Sequence, residues 1–229
     1  MDALPEAFRW LLAAPIYACA YGAAILIFRW MARRRGLDTS GVRTLMCAGL
    51  FGGLLGANLA QLILAGAPGK TIEGGMVGGF IAVVLMKQRL GITRPVGDLF
   101  APAIALGEAI GRIGCFVGGC CYGKVASVAW AVHDHDELRH PAQLYTSAGA
   151  ALTFAVLIAL ERKRVLPENG LFYVQIALFC AMRFAVEFVR AGDVLAAGLT
   201  LAQLACIAGI AFALWKLWPL FGRPLAVAA

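Results

Sequence analysis

The chain has 229 residues, of which 61% are hydrophobic and 14% charged, and its mean hydropathy is +0.80. A soluble fold has no interior large enough to hide that much apolar side chain, so the composition excludes a water-soluble domain and points to helices that satisfy their own backbone inside a bilayer. The net charge of +7 does not indicate a nucleic-acid partner, because the basic residues sit in short loops between apolar runs rather than in one patch with interleaved aromatics.

Seven apolar runs, about 10–30, 44–65, 72–87, 98–118, 142–160, 170–189 and 199–218, are predicted to cross the membrane as helices. The first follows Asp2 and Glu6 with a single Arg9, whereas a secretion leader starts basic. Arg29, Arg33, Arg34 and Arg35 come directly after it and would anchor it, so it reads as a retained span carrying Tyr17 and Tyr21 as interfacial aromatics. The second and third runs hold glycines at helix-packing spacing, Gly49 with Gly53, Gly52 with Gly56 and Gly74 with Gly78. The third is short, and Glu73 stands at its outer end.

The fourth run carries Glu108 and Arg112 four residues apart, together with Gly107 and Gly111, and the sixth repeats the charge spacing with Arg183 and Glu187. An ionised side chain at the bilayer centre costs about 2.5–3.5 kcal/mol on insertion scales, so four of them signal a functional site or two self-contained ion pairs. The two readings are compatible. A carboxylate that holds a guanidinium fixes its orientation while other donors of the fork reach a ligand, and phosphate is the anion arginine suits best.

From Gly111 to Gly123 five glycines interrupt the end of the fourth run. That pattern alone fits equally a helix end feeding the outer loop or an unwound helix whose amides bind an anion, and Arg112 within it tips the reading toward the anion. The short outer loop between the fourth and fifth spans, Gly123 to Pro141, closes on Arg139-His140-Pro141-Ala142-Gln143-Leu144-Tyr145, a polar group placed to form the rim of a site. His133 and His135, among Asp134, Asp136 and Glu137, read as a solvated loop.

Positive charge sets the orientation. Thirteen of the twenty Lys and Arg fall on one side, in the segments 29–43, 87–94 and 162–164 and at Lys216 and Arg223, against Arg9, Lys70, Lys124, Arg139 and Arg190 on the other. The expectation is an all-α polytopic integral membrane protein, residues 1–229 forming a single transmembrane domain, with the N-terminus outside and the C-terminus cytoplasmic.

The seven cysteines lie mostly within or beside apolar runs and do not form a secreted disulfide framework. Cys115, Cys120 and Cys121 lack the two-residue gap of zinc ligands, so neither a metal nor another cofactor is expected, while a thiol or redox role stays open.

Taken in order, Gly-Arg-Ile-Gly-x-Phe at 111, Tyr-Gly at 122, Arg-His-Pro-x-Gln-Leu-Tyr at 139 and Arg-x-x-x-Glu-Phe-x-Arg at 183 resemble prolipoprotein diacylglyceryl transferase. The likeness runs from Tyr17 to about Gln203. It implies an enzyme of the bacterial inner membrane that moves a diacylglyceryl group from phosphatidylglycerol to the thiol of a lipobox cysteine in a secreted prolipoprotein, releasing glycerol phosphate. Its partners would be the membrane lipid and the precursor's signal peptide.

The resemblance assigns Arg112 and Arg183 to the phosphate, with Arg139, Arg190, Glu187, Gly123, Tyr17 and Gln143 also on the substrate and Glu108 as an orienting partner. Four positions depart from the family pattern. Cys115 stands in place of the usual asparagine, Cys120 in place of an acidic residue, Glu73 in place of histidine and Phe179 in place of tyrosine. The catalytic base is then Glu73 or His140. Two other functions remain open on the residues alone: a membrane thiol or redox role for Cys115, Cys120 and Cys121, and an anion transporter with broken helices.

Overall fold

A computed structural model describes residues 5–66, 71–190 and 198–221. Seven helices follow one another: α1 (Glu6–Arg34), α2 (Ser40–Ala65), α3 (Ile72–Arg89), α4 (Gly97–Gly118), α5 (Ala142–Lys163), α6 (Gly170–Glu187) and α7 (Leu201–Phe221). Between α4 and α5 lies a small antiparallel hairpin, β1 (Val132–Asp134) and β2 (Glu137–Arg139), with Val132 opposite Arg139. Six helices are long and apolar enough to cross a membrane. The exception among the described residues is α3, whose 18 residues end in Lys87 and Arg89.

The chain forms two compact units, one made of residues 28–95 and the other of residues 1–27 with 96–229. In the first, α2 and α3 pair along a seam of glycine. A Cβ on Gly56 would meet Gly78 Cα and the Gly74 carbonyl, and one on Gly78 would meet Gly56 Cα and the Gly52 carbonyl, so the two backbones touch directly. Thr39 and Thr71 cap the two helices by accepting the Val42 and Gly74 amides at 3.2 Å. Gly78→Leu is expected to cost about 1–3 kcal/mol by overpacking this seam, read as a lowered unfolding midpoint in detergent. Gly22→Ala in α1, where an added Cβ meets nothing within 4 Å, should leave the midpoint unchanged or raise it slightly.

In the second unit α4 is central. It packs on α5 and α6, while α6 packs on α5 and α7. Its small residues explain that position: Ala101, Ala103, Ala105, Ala109, Gly114 and Gly118 are all buried. A ridge of Gly107, Gly111, Gly114 and Gly118 seats Ala24, Ala20, Tyr17 and Trp10 of α1 in antiparallel order. A buried carboxylate fixes the other end of α4. Asp98, 3% exposed, accepts the Asn169 and Phe172 amides at 2.9 and 3.0 Å and so satisfies the first turn of α6.

Polarity in this unit runs inward. Arg112, Gln143, Thr146, Thr153, Gln175, Arg183, Glu187 and Gln203 are buried, whereas Leu152, Phe188, Leu201, Trp215 and Trp218 are exposed. Bilayer solvation of the outer faces accounts for the arrangement, since lipid accepts leucine and tryptophan but leaves arginine to the interior.

Candidate active site

The two predicted charge pairs are present and buried. Arg112 Nε lies 3.6 Å from Glu108 Oε1 on α4, and Arg183 Nη1 lies 2.6 Å from Glu187 Oε2 on α6. Each spacing of four residues brings acid and base onto one helix face. Glu187 serves more than one partner: its Oε2 is also 3.8 Å from Arg190 Nη1, and its Oε1 accepts the Thr200 hydroxyl at 3.3 Å. Arg190, just past the end of α6, is pulled below its usual pKa by burial and then by the Arg183 guanidinium, with a smaller push from Arg112. All three guanidinium groups therefore act on one region of the second unit, and it is electropositive.

The glycine-rich stretch resolves in favour of a helix end. α4 continues unbroken to Gly118 and closes with Gly119 in the left-handed conformation at φ 70°. The anion reading of this stretch is corrected accordingly. A helix C-terminus presents carbonyls, not amides, so attraction for an anion must come from side chains.

Beyond Gly119 the chain turns beneath the hairpin. The Gly123 amide donates to the His140 carbonyl at 3.1 Å and the Lys124 amide to the Val189 carbonyl at 2.8 Å, which ties the ends of α4 and α6 to the start of α5. A Cβ on Gly123 would collide with the His140 and Val189 carbonyls, so this close approach demands glycine. The Lys124 ammonium donates to the Phe188 carbonyl at 3.0 Å.

The polar rim gathers as the sequence suggests. Gln143 is 2% exposed and donates Nε2 to the Cys120 carbonyl at 2.8 Å, while its buried Oε1 has no hydrogen-bond partner among the described residues. His140 Nδ1 is 3.2 Å from the Tyr145 hydroxyl, which also accepts the Trp130 indole N–H at 2.6 Å. Arg139 is held by the hairpin, donating to the Asp134 and Gly123 carbonyls and to Glu137, with its guanidinium 4.8 Å from the centre of the Tyr122 ring. The Tyr17 hydroxyl donates to Cys115 Sγ at 3.4 Å, which makes Tyr17 a neighbour of the α4 end and not only an interfacial ring. Glu73 lies in the first turn of α3, and its side chain falls outside the described residues.

One feature escaped the sequence reading. Asp134, taken as part of a solvated loop, is 4% exposed and pairs with Arg9 at 3.2 Å across the second unit. The hairpin buries it because Asp134 and Glu137 form its closing pair, and His135 and Asp136 take the left-handed turn positions. Asp134→Ala removes one member of a buried pair and is expected to destabilise by about 3–5 kcal/mol, seen in thermal unfolding of the purified protein. Cys115, Cys120 and Cys121, singled out in the sequence, gather at the end of α4, where the Cys120 thiol donates to the Cys115 carbonyl at 3.7 Å.

The comparisons agree with the family resemblance. A family model described as prolipoprotein diacylglyceryl transferase matches residues 6–219, beyond both ends of the stretch that carries the motifs. A protein of Geobacter sulfurreducens named phosphatidylglycerol--prolipoprotein diacylglyceryl transferase is 33% identical over 88% of this chain and 82% of its own. Proteins of the same name from Nitratidesulfovibrio vulgaris and Cupriavidus necator are 32% and 30% identical, covering 94% and 92% of this chain and 91% and 89% of theirs. The chain belongs to the prolipoprotein diacylglyceryl transferase family.

Proposed function

We propose that this protein transfers the diacylglyceryl group of phosphatidylglycerol to the thiol of a lipobox cysteine in a secreted prolipoprotein and releases glycerol phosphate. The observation that carries the proposal is the electropositive group of Arg112, Arg183 and Arg190, held by Glu108 and Glu187 in a membrane-spanning fold. A phosphodiester whose C–O bond is breaking develops charge on its oxygens, and preorganised guanidinium donors stabilise that charge most where water is scarce. A hydroxyl of the glycerol headgroup is the proposed donor to Gln143 Oε1, a reading supported by that buried oxygen's lack of a partner among the described residues.

The incoming cysteine is nucleophilic only as thiolate, so a base must take its proton. His140 is the proposed base: its Nδ1 lies 3.2 Å from the Tyr145 hydroxyl, and donation from Nδ1–H to that oxygen would make Nε2 the accepting nitrogen. Glu73 is the second choice.

The proposed setting is the bacterial inner membrane, N-terminus outside, with the signal peptide reaching the site from the outer face. Incubation of the purified protein with labelled phosphatidylglycerol and a lipobox peptide should yield glycerol phosphate and thioether-linked peptide in equal amounts. Absence of both products would end this reading. Flux of small anions into sealed liposomes dependent on Arg112 and Arg183, without transfer in detergent, would favour a transporter instead.

A further inference from the structure

Cys115, Cys120 and Cys121 form a nucleophilic cluster that the transfer reaction does not use. Cys115 belongs to the last turn of α4, and the Cys120 amide donates back to the Cys115 carbonyl at 3.1 Å, so the chain folds over its own helix end. That reversal brings the Cys120 thiol to the Cys115 carbonyl, which accepts it at 3.7 Å, and sets Cys121 next to both. All three are free thiols, and Cys121 is the exposed one. Cys121 also adopts φ 60°, a conformation an L side chain holds only when its surroundings enforce it, and such strain gathers at functional sites. Hydrogen bonds from Cys115 and Cys120, then the charges of Arg190 and Arg112, hold the Cys121 thiol below its ordinary range, while burial opposes them. The neighbouring Cys120 is pushed up by the same hydrogen bonds. An exposed thiolate beside half-buried thiols is the arrangement of an attacking cysteine with a resolving partner.

We propose that this cluster is a thiol–disulfide exchange site in which Cys121 attacks a low-molecular-weight disulfide and Cys115 resolves the adduct. In the first step the Cys121 thiolate attacks one sulfur of the disulfide, whose S–S bond breaks, and one small thiol leaves as thiolate and takes a proton. In the second, Cys115 gives up its proton and attacks the Cys121 sulfur, expelling the second small thiol. Two protein thiols are oxidised and one disulfide is reduced to two thiols. Cys115 resolves in preference to Cys120 because adjacent residues hold their Cα atoms about 3.8 Å apart, short of the roughly 4.4–6.8 Å usual for a disulfide.

The test uses the full-length protein in detergent with oxidised glutathione, followed by alkylation and peptide mass spectrometry. The expected result is a Cys115–Cys121 crosslink with loss of two alkylatable thiols. Cys115→Ser should stop at a stable glutathione adduct on Cys121, and Cys121→Ser should give neither. Alkylation of Cys121 should also outpace that of Cys115 and Cys120 at about pH 6, where an ordinary thiol is almost wholly protonated. Retention of all seven alkylatable thiols, or a crosslink confined to Cys180 and Cys206, overturns the proposal. The mass readout does not involve lipid transfer, so its failure and that of the transferase reading are distinguishable.

Discussion

Arg183→Lys is expected to lower kcat/KM for labelled phosphatidylglycerol by about 10²–10³ while leaving the thermal unfolding midpoint close to that of the parent protein. Lysine keeps the positive charge against Glu187, so the cost of an uncompensated buried carboxylate is avoided. What it loses is the planar fork. Arginine can give one edge to Glu187 and another to a phosphate oxygen, whereas an ammonium is a point charge that one carboxylate largely occupies. Arg112→Lys should behave in the same way through Glu108. Glycerol phosphate release per minute and a melting curve on the same sample check both parts. A lysine variant with full activity would show that the guanidinium fork is not used on the phosphate.

His140→Asn should lower kcat by about 10²–10⁴ with little change in KM for the lipid. The asparagine amide can still reach the Tyr145 hydroxyl, so the rim should keep its shape while losing its proton acceptor. If Glu73→Gln abolishes transfer and His140→Asn does not, the proton goes to Glu73.

Hydropathy alone located seven helices and placed their centres, because a run of leucine and alanine bounded by arginine has few alternatives in a bilayer. Boundaries moved where charged residues continue a helix. α1 runs from Glu6 to Arg34 instead of about 10 to 30, since its flanking arginines remain helical beyond the apolar stretch. The i, i+4 spacing of Glu108 with Arg112 and of Arg183 with Glu187 was equally legible, being a property of one helix. Contacts made by distant segments were not. Arg9 with Asp134, Asp98 with the first turn of α6, and Tyr17 with Cys115 join positions that nothing in the local pattern relates. The glycine run at 111–123 misled for another reason: glycine marks both an exposed amide and a helix stop, and only the direction of α4 decides between them.

The ridge of α4 that seats α1, together with the Arg9–Asp134 pair, has a consequence for how the protein is made. Helix α1 must wait, because its partners begin only after residue 95 and its ionic anchor lies at 134. Meanwhile α2 and α3, neighbours in sequence, can zip along their glycine seam as soon as both are inserted. Biogenesis is therefore split into an early local step and a late one that recaptures α1. A nascent chain halted shortly after residue 95 should carry a protease-resistant α2–α3 hairpin alongside an α1 still open to digestion.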